Sequence, residues 1–425
     1  MTAAWTPRVQ VQTYEEVTGA IRRSRAAAAE LRLAVGETKD RALHAVAEAT
    51  AERAVEILDA NAQDLAAARH SGAEGSALDQ LALSEHTLKS LADELRDWAR
   101  PADPVGEVLR ESDRPDGVHL HQVRVPIGVV AVLYDGAPGI LLRALGPLLK
   151  AGNAVLVRAG RAGTRTAETL VGVVREALVG VGLPADGLQL ISSAQRSSMR
   201  YLIAARGEVD LLIPLLSPGQ RAAVIPEAKV PLIEIGGGRC HLYVDRAADL
   251  DLAEQVALRS TTGPAPLGLR ADTILVHAEV ADRLVPRLAA ALTGAGVPLR
   301  GDPRATALAP DLPAAEPGWP DEPDAGGVTC AVVDTFDEAT VHIERYGTAH
   351  TEAVVTADEA VSRAFASRID AGTIVVNAPT AYDASTGDTA TAGIEPLAYS
   401  TQRLAPRGPL GLAELTTTKW IARAS

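Results

Sequence analysis

Cysteine is nearly absent from this sequence, with only Cys240 and Cys330 among 425 residues. Two cysteines cannot form a disulfide framework, so the chain suits a reducing compartment such as the cytoplasm. The sequence also lacks a run of about 18 apolar residues, and it begins without the basic-then-apolar pattern of a signal peptide. We therefore expect a soluble, cytoplasmic protein without a membrane span.

Aromatic residues and positive charge are also scarce. Phe, Trp and Tyr make up 3 % of the chain, whereas 47 % of it is apolar and rich in Ala and Val, which favours helices and buried parallel strands. The 54 acidic residues outnumber the 41 basic ones and give a formal net charge of −13. This charge argues against nucleic acid or an anionic membrane as a partner, but it does not exclude an anionic small molecule.

Length and hydrophobic spacing predict a multidomain α/β chain. At 425 residues there is room for two or three domains. Apolar side chains at helical spacing predict helices over residues 14–33 and 38–70, and a third helix that ends near Trp98. From Val123 onward, short apolar runs alternate with helical stretches, which is typical of βαβ units in parallel sheets. The predicted strands cover residues 129–134, 154–158, 188–191, 211–213, 232–235, 273–277, 329–334, 353–356 and 373–377.

Several contiguous motifs carry a family resemblance. They are the segments Lys150–Arg158 (KAGNAVLVR), Pro231–His241 (PLIEIGGGRCH) and Arg407–Lys419 (RGPLGLAELTTTK). In this order they resemble the γ-glutamyl phosphate reductases, also called glutamate-5-semialdehyde dehydrogenases, of the aldehyde dehydrogenase superfamily. The resemblance covers essentially the whole chain. It implies an aldehyde-dehydrogenase-like fold, with a Rossmann-type parallel sheet, a second α/β domain and an oligomerisation arm.

Pattern and resemblance together predict three parts of the chain. Residues 1–245 are expected to form a helical and dinucleotide-binding-type α/β domain, whose arm at about 118–130 alternates with a period of two residues. Residues 246–388 are expected to form a second, catalytic-type α/β domain. Residues 389–425 then form a C-terminal segment that docks or oligomerises. We expect a homo-oligomer, a dimer or a tetramer, that is closed by the arm and this segment.

The resemblance implies a cysteine nucleophile that this chain does not carry. Such a thiolate attacks the acyl or aldehyde carbon and later leaves from the thioester. The matching stretch, Thr261–Leu269, reads TTGPAPLGL and places the family's cysteine at Leu267, or at Gly268 if one residue is inserted. Neither side chain forms a covalent adduct. We interpret Cys240 and Cys330 as small buried hydrophobic residues.

Other polar residues match site positions of the family. Glu234 is either a base for water or thiol, a role that this glutamate often has in the superfamily, or a carboxylate held by backbone amides at a strand end. His350, Glu352 and Asn377 lie in retained motifs, so the resemblance implies that they face the substrate. The glycines Gly236–Gly238 let the backbone pass close to a ligand or to a strand. No metal site is predicted.

The resemblance also implies NADP(H) as cofactor, bound near Lys150, Asn153 and Arg158. Arginines in this region either meet a phosphate near a helix N-terminus or form a solvated basic face. The family's Arg-Gly-Gly, where bare backbone meets the cofactor, is replaced by Leu215–Ser217, which adds side chains. The segment Tyr134–Gly139 likewise lacks an arginine and an asparagine of the family's motif. We therefore expect weak or absent NADP(H) binding.

These losses predict a divergent homologue that no longer reduces γ-glutamyl phosphate with NADPH through a thiolate. Two classes of function stay open, and with them the question of whether the protein is an enzyme. One is a non-redox role in amino-acid-derived biosynthesis, in which the homo-oligomer partners a glutamate-kinase-like enzyme or another pathway protein. The other is catalysis on an acyl-phosphate or aldehyde ligand without a cysteine. Residual NADP-dependent glutamate-5-semialdehyde dehydrogenase activity is a further alternative.

Overall fold

The computed structural model describes residues 7–191, 196–262, 268–315, 327–380 and 395–424. Within it the chain divides into two compact units. Unit 1 comprises Met1–Glu234, Gly387–Leu397 and Leu410–Ser425, and unit 2 comprises Ile235–Thr386 and Ala398–Pro409. Among the helices of these described ranges, none combines the length and the apolar character that a bilayer crossing requires.

Unit 1 begins with a helical layer. Its helices are α1 Pro7–Leu31, α2 Gly36–Glu52, α3 Ala54–His70, α4 Ser76–Leu81, α5 Glu85–Ala99, α6 Ile140–Lys150, α7 Thr164–Gly180, α8 Arg196–Ala204 and α9 Pro218–Val224. The predicted helix over 38–70 is two helices, because Arg53 leaves helical geometry with φ −100° and ψ 21°. Its guanidinium there binds Glu56 and Glu176. Helix α2 packs against both α5 and α7.

The first parallel sheet lies in unit 1 and follows the predicted strands closely. It contains β3 Val129–Tyr134, β4 Ala154–Arg158, β5 Leu188–Ile191 and β6 Leu211–Leu215. The strand order is β5-β4-β3-β6, and every pair in it is parallel. All six residues of β3 are buried, as expected of a central strand that is covered on both faces. The strand predicted at 232–235 is wrong, because Leu232 makes only an isolated bridge to Leu212.

An antiparallel sheet of unit 1 joins the predicted arm to the end of the chain. Its strands are β1 Val108–Asp113, β2 Val118–Pro126 and β15 Thr416–Ala424. Strand β2 is central and pairs with β1 on one side and with β15 on the other. The pairing of β15 runs along all nine residues of β2, from Pro126 opposite Thr416 to Val118 opposite Ala424. The predicted arm at about 118–130 therefore contains a strand over residues 118–126, and β15 completes its sheet.

Unit 2 is built on a six-stranded parallel sheet. Its strands are β7 Cys240–Val244, β8 Ala271–His277, β9 Leu299–Gly301, β10 Val328–Val333, β11 Thr351–Val355 and β12 Thr373–Val376, with a separate pair of β13 Tyr399–Ser400 and β14 Gly408–Pro409. The order is β12-β11-β7-β8-β10-β9. The helices of this unit are α10 Leu250–Thr261, α11 Ala278–Gly294, α12 Pro303–Leu308, α13 Phe336–Tyr346 and α14 Glu359–Arg368.

Alternate residues of this sheet form two hydrophobic layers, because successive side chains of a strand point to opposite faces. Leu242 and Ile274 belong to the layer that includes residues of α10 and α11. Tyr243 and Leu275 belong to the layer that includes residues of α13 and α14. The five helices each begin with a side chain that accepts a backbone N–H bond; these caps are Asp249, His277, Asp302, Thr335 and Asp358.

The division between the units differs from the prediction of a boundary at residues 245 and 246. Strand β7 (residues 240–244) is hydrogen-bonded on both sides within the sheet of unit 2, so the division falls after Glu234. The predicted C-terminal segment, residues 389–425, is not one piece either. Residues 398–409 contribute β13 and β14 to unit 2, whereas residues 410–425 return to unit 1 through β15.

Candidate active site

The candidate site in unit 2 centres on the position where the family resemblance places a cysteine. Leu267 lies outside the described residues, so its place stays a prediction. Gly268 is described, and its φ of +78° is one that L side chains rarely adopt. A Cβ atom on Gly268 would also lie 2.6 Å from the backbone nitrogen of Gly238. This backbone therefore does not accept a cysteine at residue 268.

The glycine turn beside it makes two close contacts. A Cβ atom on Gly238 would lie 1.8 Å from the carbonyl oxygen of Gly268, and one on Gly236 would lie 2.2 Å from Cγ2 of Thr401. Of the two interpretations given to these glycines, the approach of protein atoms is the one observed. Glu234 directly precedes the turn, and its side chain is exposed. Its role as a base stays a prediction.

Both cysteines of the chain are fully buried thiols. Cys240 begins β7, and its Sγ atom donates to the carbonyl oxygen of Gly268 at 3.2 Å. Burial, and then the nearby carboxylates of Glu352 and Asp272, raise the pKa of Cys240 well above its usual range. Cys330 lies inside β10, where burial raises the pKa of its thiol to about 12. The raised pKa values favour the protonated thiol at neutral pH for both residues.

His241, the residue after Cys240 in β7, forms a buried pair with Glu352 of β11. Oε2 of Glu352 accepts the backbone N–H of His241 at 2.7 Å and lies 2.9 Å from its ring Nδ1. Burial disfavours a charged imidazole, but the Glu352 carboxylate raises the pKa of His241 above its usual value. For Glu352, burial raises the pKa, and His241 acts in the opposite direction. The resemblance places Glu352 on the substrate side; here its side chain is 1 % exposed and joins β11 to β7.

His350 and Asn377 also make contacts with other residues of the protein. His350 is buried, its Nδ1 lies 3.0 Å from Oγ1 of Thr351, and its ring stacks on Tyr399 at 4.9 Å between centroids. Asn377 follows β12 with φ +56°, and its side chain bonds the N–H and the C=O of Thr356. Asn377 thus ties the end of β12 to the end of β11. His350 is buried, whereas Asn377 is exposed and its amide is bonded to Thr356. That these residues face a substrate stays a prediction.

Sequence reasoning missed Asp272, the residue before the predicted strand 273–277. Burial raises the pKa of Asp272 to about 6, although His241 and Thr273 act in the opposite direction. Its Oδ2 atom is buried without a hydrogen-bond partner among the described residues. A carboxyl group with a perturbed pKa near a candidate nucleophile position is typical of functional sites. The signal in the sequence was a single acidic residue at the start of an apolar run.

Unit 1 contains the residues that the resemblance assigns to a cofactor, and two of them have internal partners. Nζ of Lys150 contacts Asp40 and donates to the carbonyl oxygen of Ala99 at 3.1 Å. Asn153 accepts the N–H of Gly128 and donates to the carbonyl of Leu415. Both side chains are almost completely buried. They hold the helical layer and the C-terminal segment to the sheet, and their expected role in cofactor binding stays a prediction.

Arg158 is the third predicted cofactor residue, and it lies at the carboxyl end of β4. Its Nε donates to Oγ of Ser198 at 3.4 Å. Burial lowers the pKa of Arg158, and the carboxylate of Asp135 opposes that effect. The amides that begin the next helix are already occupied, because the N–H groups of Arg165 and Thr166 donate to the buried carboxylate of Asp64. A ligand phosphate does not have access to those two amides.

Comparison with known proteins shows which family the chain resembles. The pattern of the aldehyde dehydrogenase family matches residues 2–310 of the chain. The chain belongs to the aldehyde dehydrogenase family. The crystal structure of γ-glutamyl phosphate reductase from Thermotoga maritima is 32 % identical, with a TM-score of 0.89 over 96 % of this chain and 99 % of that chain.

Two further solved structures share the fold at lower identity. The γ-glutamyl phosphate reductase from Saccharomyces cerevisiae is 23 % identical over 96 % of this chain and 97 % of that chain, with a TM-score of 0.53. An engineered glycolyl-CoA reductase with bound NADP⁺ is 14 % identical over 95 % of this chain and 96 % of that chain, with a TM-score of 0.66. Both support the aldehyde dehydrogenase fold.

Members of the aldehyde dehydrogenase family bind NAD(P), but the residues present here do not fit such a cofactor. The space that Gly160 leaves free beside β4 is filled by the chain's own carboxylate, since a Cβ atom on Gly160 would lie 1.7 Å from Oδ1 of Asp135. Leu215 and Leu216 stand where the family has Arg-Gly, and Leu216 is buried in the unit itself.

Proposed function

We propose that this chain is a divergent member of the γ-glutamyl phosphate reductase group that does not reduce γ-glutamyl phosphate with NADPH. Its contribution is a non-redox one in amino-acid-derived biosynthesis, as a homo-oligomer that partners a glutamate-kinase-like enzyme or another pathway protein. The observation that carries the proposal is the state of Cys240 and Cys330. They are the chain's only cysteines, both are buried, and burial keeps both protonated.

The chemistry explains why this observation matters. Phosphate-dependent oxidation of an aldehyde in this family requires a thioester, from which phosphate later displaces the sulfur. A protonated, enclosed thiol can neither attack the carbonyl carbon nor be reached by phosphate. Leu267 and Gly268, the positions that match the family's cysteine, supply no other nucleophile. The proposed loss therefore concerns the covalent step itself, and it does not depend on whether a cofactor binds.

The purified protein is expected to show no phosphate-dependent reduction of NADP⁺ with glutamate 5-semialdehyde. Covalent catalysis by a positioned thiolate supplies many orders of magnitude, so turnover is expected at the level of the buffer. The measurement is NADPH absorbance, with protein from a host that lacks its own γ-glutamyl phosphate reductase. Leu267→Cys alone is expected to leave the rate unchanged, because Leu215 and Leu216 also depart from the family.

Cys240→Ser is the matched control for that assay. A rate close to that of a functional reductase, abolished by Cys240→Ser, would contradict the proposal, because it would mean that the buried thiol becomes reactive. A rate that survives this substitution would contradict the proposal as well. It would favour the second class of function, catalysis on an aldehyde or acyl phosphate without a cysteine.

Assembly with a second copy is the other part of the proposal. All six residues of β1 are exposed, and Trp420 on β15 is 52 % exposed. A small antiparallel sheet is marginally stable unless one of its faces is covered. The exposure of β1 and Trp420 supports a homodimer or homotetramer in which another copy covers this sheet.

Trp420→Glu is expected to weaken that assembly at least about tenfold. Large aromatic side chains often dominate interfaces, and a buried unpaired carboxylate adds a desolvation cost. Light scattering over a dilution series measures the effect. Val179→Glu is the matched control, since Val179 is 59 % exposed on α7. A wild-type protein that is monomeric at micromolar concentration would rule out the assembly role.

A further inference from the structure

The strand order of the four-stranded sheet defines a crevice at one edge. The chain passes from β3 to β4 to β5 in one direction and then places β6 on the other side of β3. In open parallel sheets, ligands bind outside the carboxyl ends of the strands where this direction reverses. The crevice of this chain therefore lies between the end of β3 and the end of β6.

Two exposed side chains of the protein meet at this edge. Asp135 follows β3, and Gln220 lies on α9, which follows β6. Nε2 of Gln220 donates to Oδ2 of Asp135 at 2.5 Å. At its other end, Oε1 of Gln220 accepts the N–H of Ser217 at 3.2 Å and its hydroxyl at 3.1 Å. The amide of Gln220 is thus held on both sides, with its donor end directed to the carboxylate.

The second oxygen of Asp135 reaches the neighbouring strand end. Oδ1 occupies the space beside Gly160, after β4, that a Cβ atom would need. The same carboxylate also acts electrostatically on Arg158, since it raises the pKa of that guanidinium against the lowering by burial. The Asp135 carboxylate therefore reaches from the end of β3 to the end of β4 and to α9. It also offsets the positive charge of Arg158, which a ligand phosphate would need.

We propose that Asp135 and Gln220 form a clasp that closes this crevice and excludes dinucleotides. The inference rests on the proposed loss of NADPH reduction and gives that loss a second, separate cause. A group that replaced Gln220 would have to donate a hydrogen bond to Asp135, so the crevice favours hydroxyl or ammonium groups over phosphates. Ser217 belongs to the clasp as the residue that caps α9 and orients Gln220.

Gln220→Ala is expected to raise the affinity for NADPH and NADH at least about tenfold. A hydrogen bond to a charged group contributes enough for a change of this size when a ligand must break it. Asp135→Asn is expected to act in the same direction, because it removes the negative charge beside Arg158 and keeps an acceptor for Gln220. Titration calorimetry measures the affinities, and thermal melting confirms that each variant is folded.

Gln63→Ala is the matched control, since Gln63 is an exposed glutamine on α3. It is expected to bind both dinucleotides as weakly as the wild type. Low-micromolar binding of NADPH by the wild type would overturn the clasp. So would folded Gln220→Ala and Asp135→Asn variants that bind no more tightly than Gln63→Ala. Either failure would leave the missing thiolate unaffected, because the clasp is tested by binding and the thiolate by turnover.

Discussion

Replacing Glu352 with alanine is expected to lower the free energy of unfolding by about 3–5 kcal/mol. The carboxylate accepts two bonds from His241, one from its backbone N–H and one at its ring. Alanine would leave both the buried imidazole and the backbone N–H of His241 without their hydrogen-bond partner, and both changes are costly where water cannot enter. Urea unfolding followed by circular dichroism measures the loss.

Glu344→Ala provides the control for this loss. Glu344 lies exposed on α13, so the same chemical change is expected to cost less than about 0.5 kcal/mol. A double variant, Glu352→Ala with His241→Ala, measures the interaction between the two residues. If they share one interaction, the two losses of stability should not add. A loss below about 1 kcal/mol for Glu352→Ala would mean that the pair contributes little to the stability of unit 2.

Gly238→Ala is expected to destabilise the protein by about 3 kcal/mol or more. The new Cβ atom would lie 1.8 Å from the carbonyl oxygen of Gly268, and neither group is the end of a flexible side chain. Relief requires the backbone of one segment to move away from the other. Thermal unfolding measures the loss of stability. The Cys240 thiol is also expected to react faster with a thiol reagent, because Cys240 donates to the same carbonyl.

The matched substitution is Gly172→Ala. Gly172 lies within α7 and has no atom within 4 Å of its Cβ position. Alanine is favoured over glycine in a helix interior by about 0.5–1 kcal/mol, so this variant is expected to be slightly more stable than the wild type. Equal effects of the two substitutions would show that the close approach at Gly238 does not constrain the fold.

The fold was accessible from the sequence wherever local pattern decides the structure. The apolar runs at 129–134, 154–158 and 188–191 became strands with those bounds. The run at 232–235 failed because Leu232 and Ile235 each make only an isolated bridge, and sequence spacing does not report how far a pairing continues. Strand β7 was missed because three glycines, which are typical of turns, lie shortly before it.

The site was less accessible, because its residues are defined by partners far away in the chain. Glu352 binds a residue 111 positions earlier, and Asn153 binds a carbonyl 262 positions later. Both were assigned to ligands because their motifs are intact. The burial of both cysteines was readable directly, since it follows from residue type and hydrophobic surroundings. The position of the Asp135 carboxylate beside Gly160 was not readable from the sequence, because a matched motif does not show which of its atoms already have partners.

The pairing of β15 with β2 has a consequence for biosynthesis. Gln122 and Thr418 bond across these strands although they lie 296 residues apart. A ribosome that adds roughly 5–20 residues per second needs on the order of 15–60 seconds to cover that distance. During this time β2 has a free edge on the nascent chain, and free edges invite pairing with other chains. Unit 2 can fold in that interval, whereas the sheet of β2 is completed only once β15 has been synthesised. Yield in a cell is therefore expected to depend on chaperones and on an intact β15.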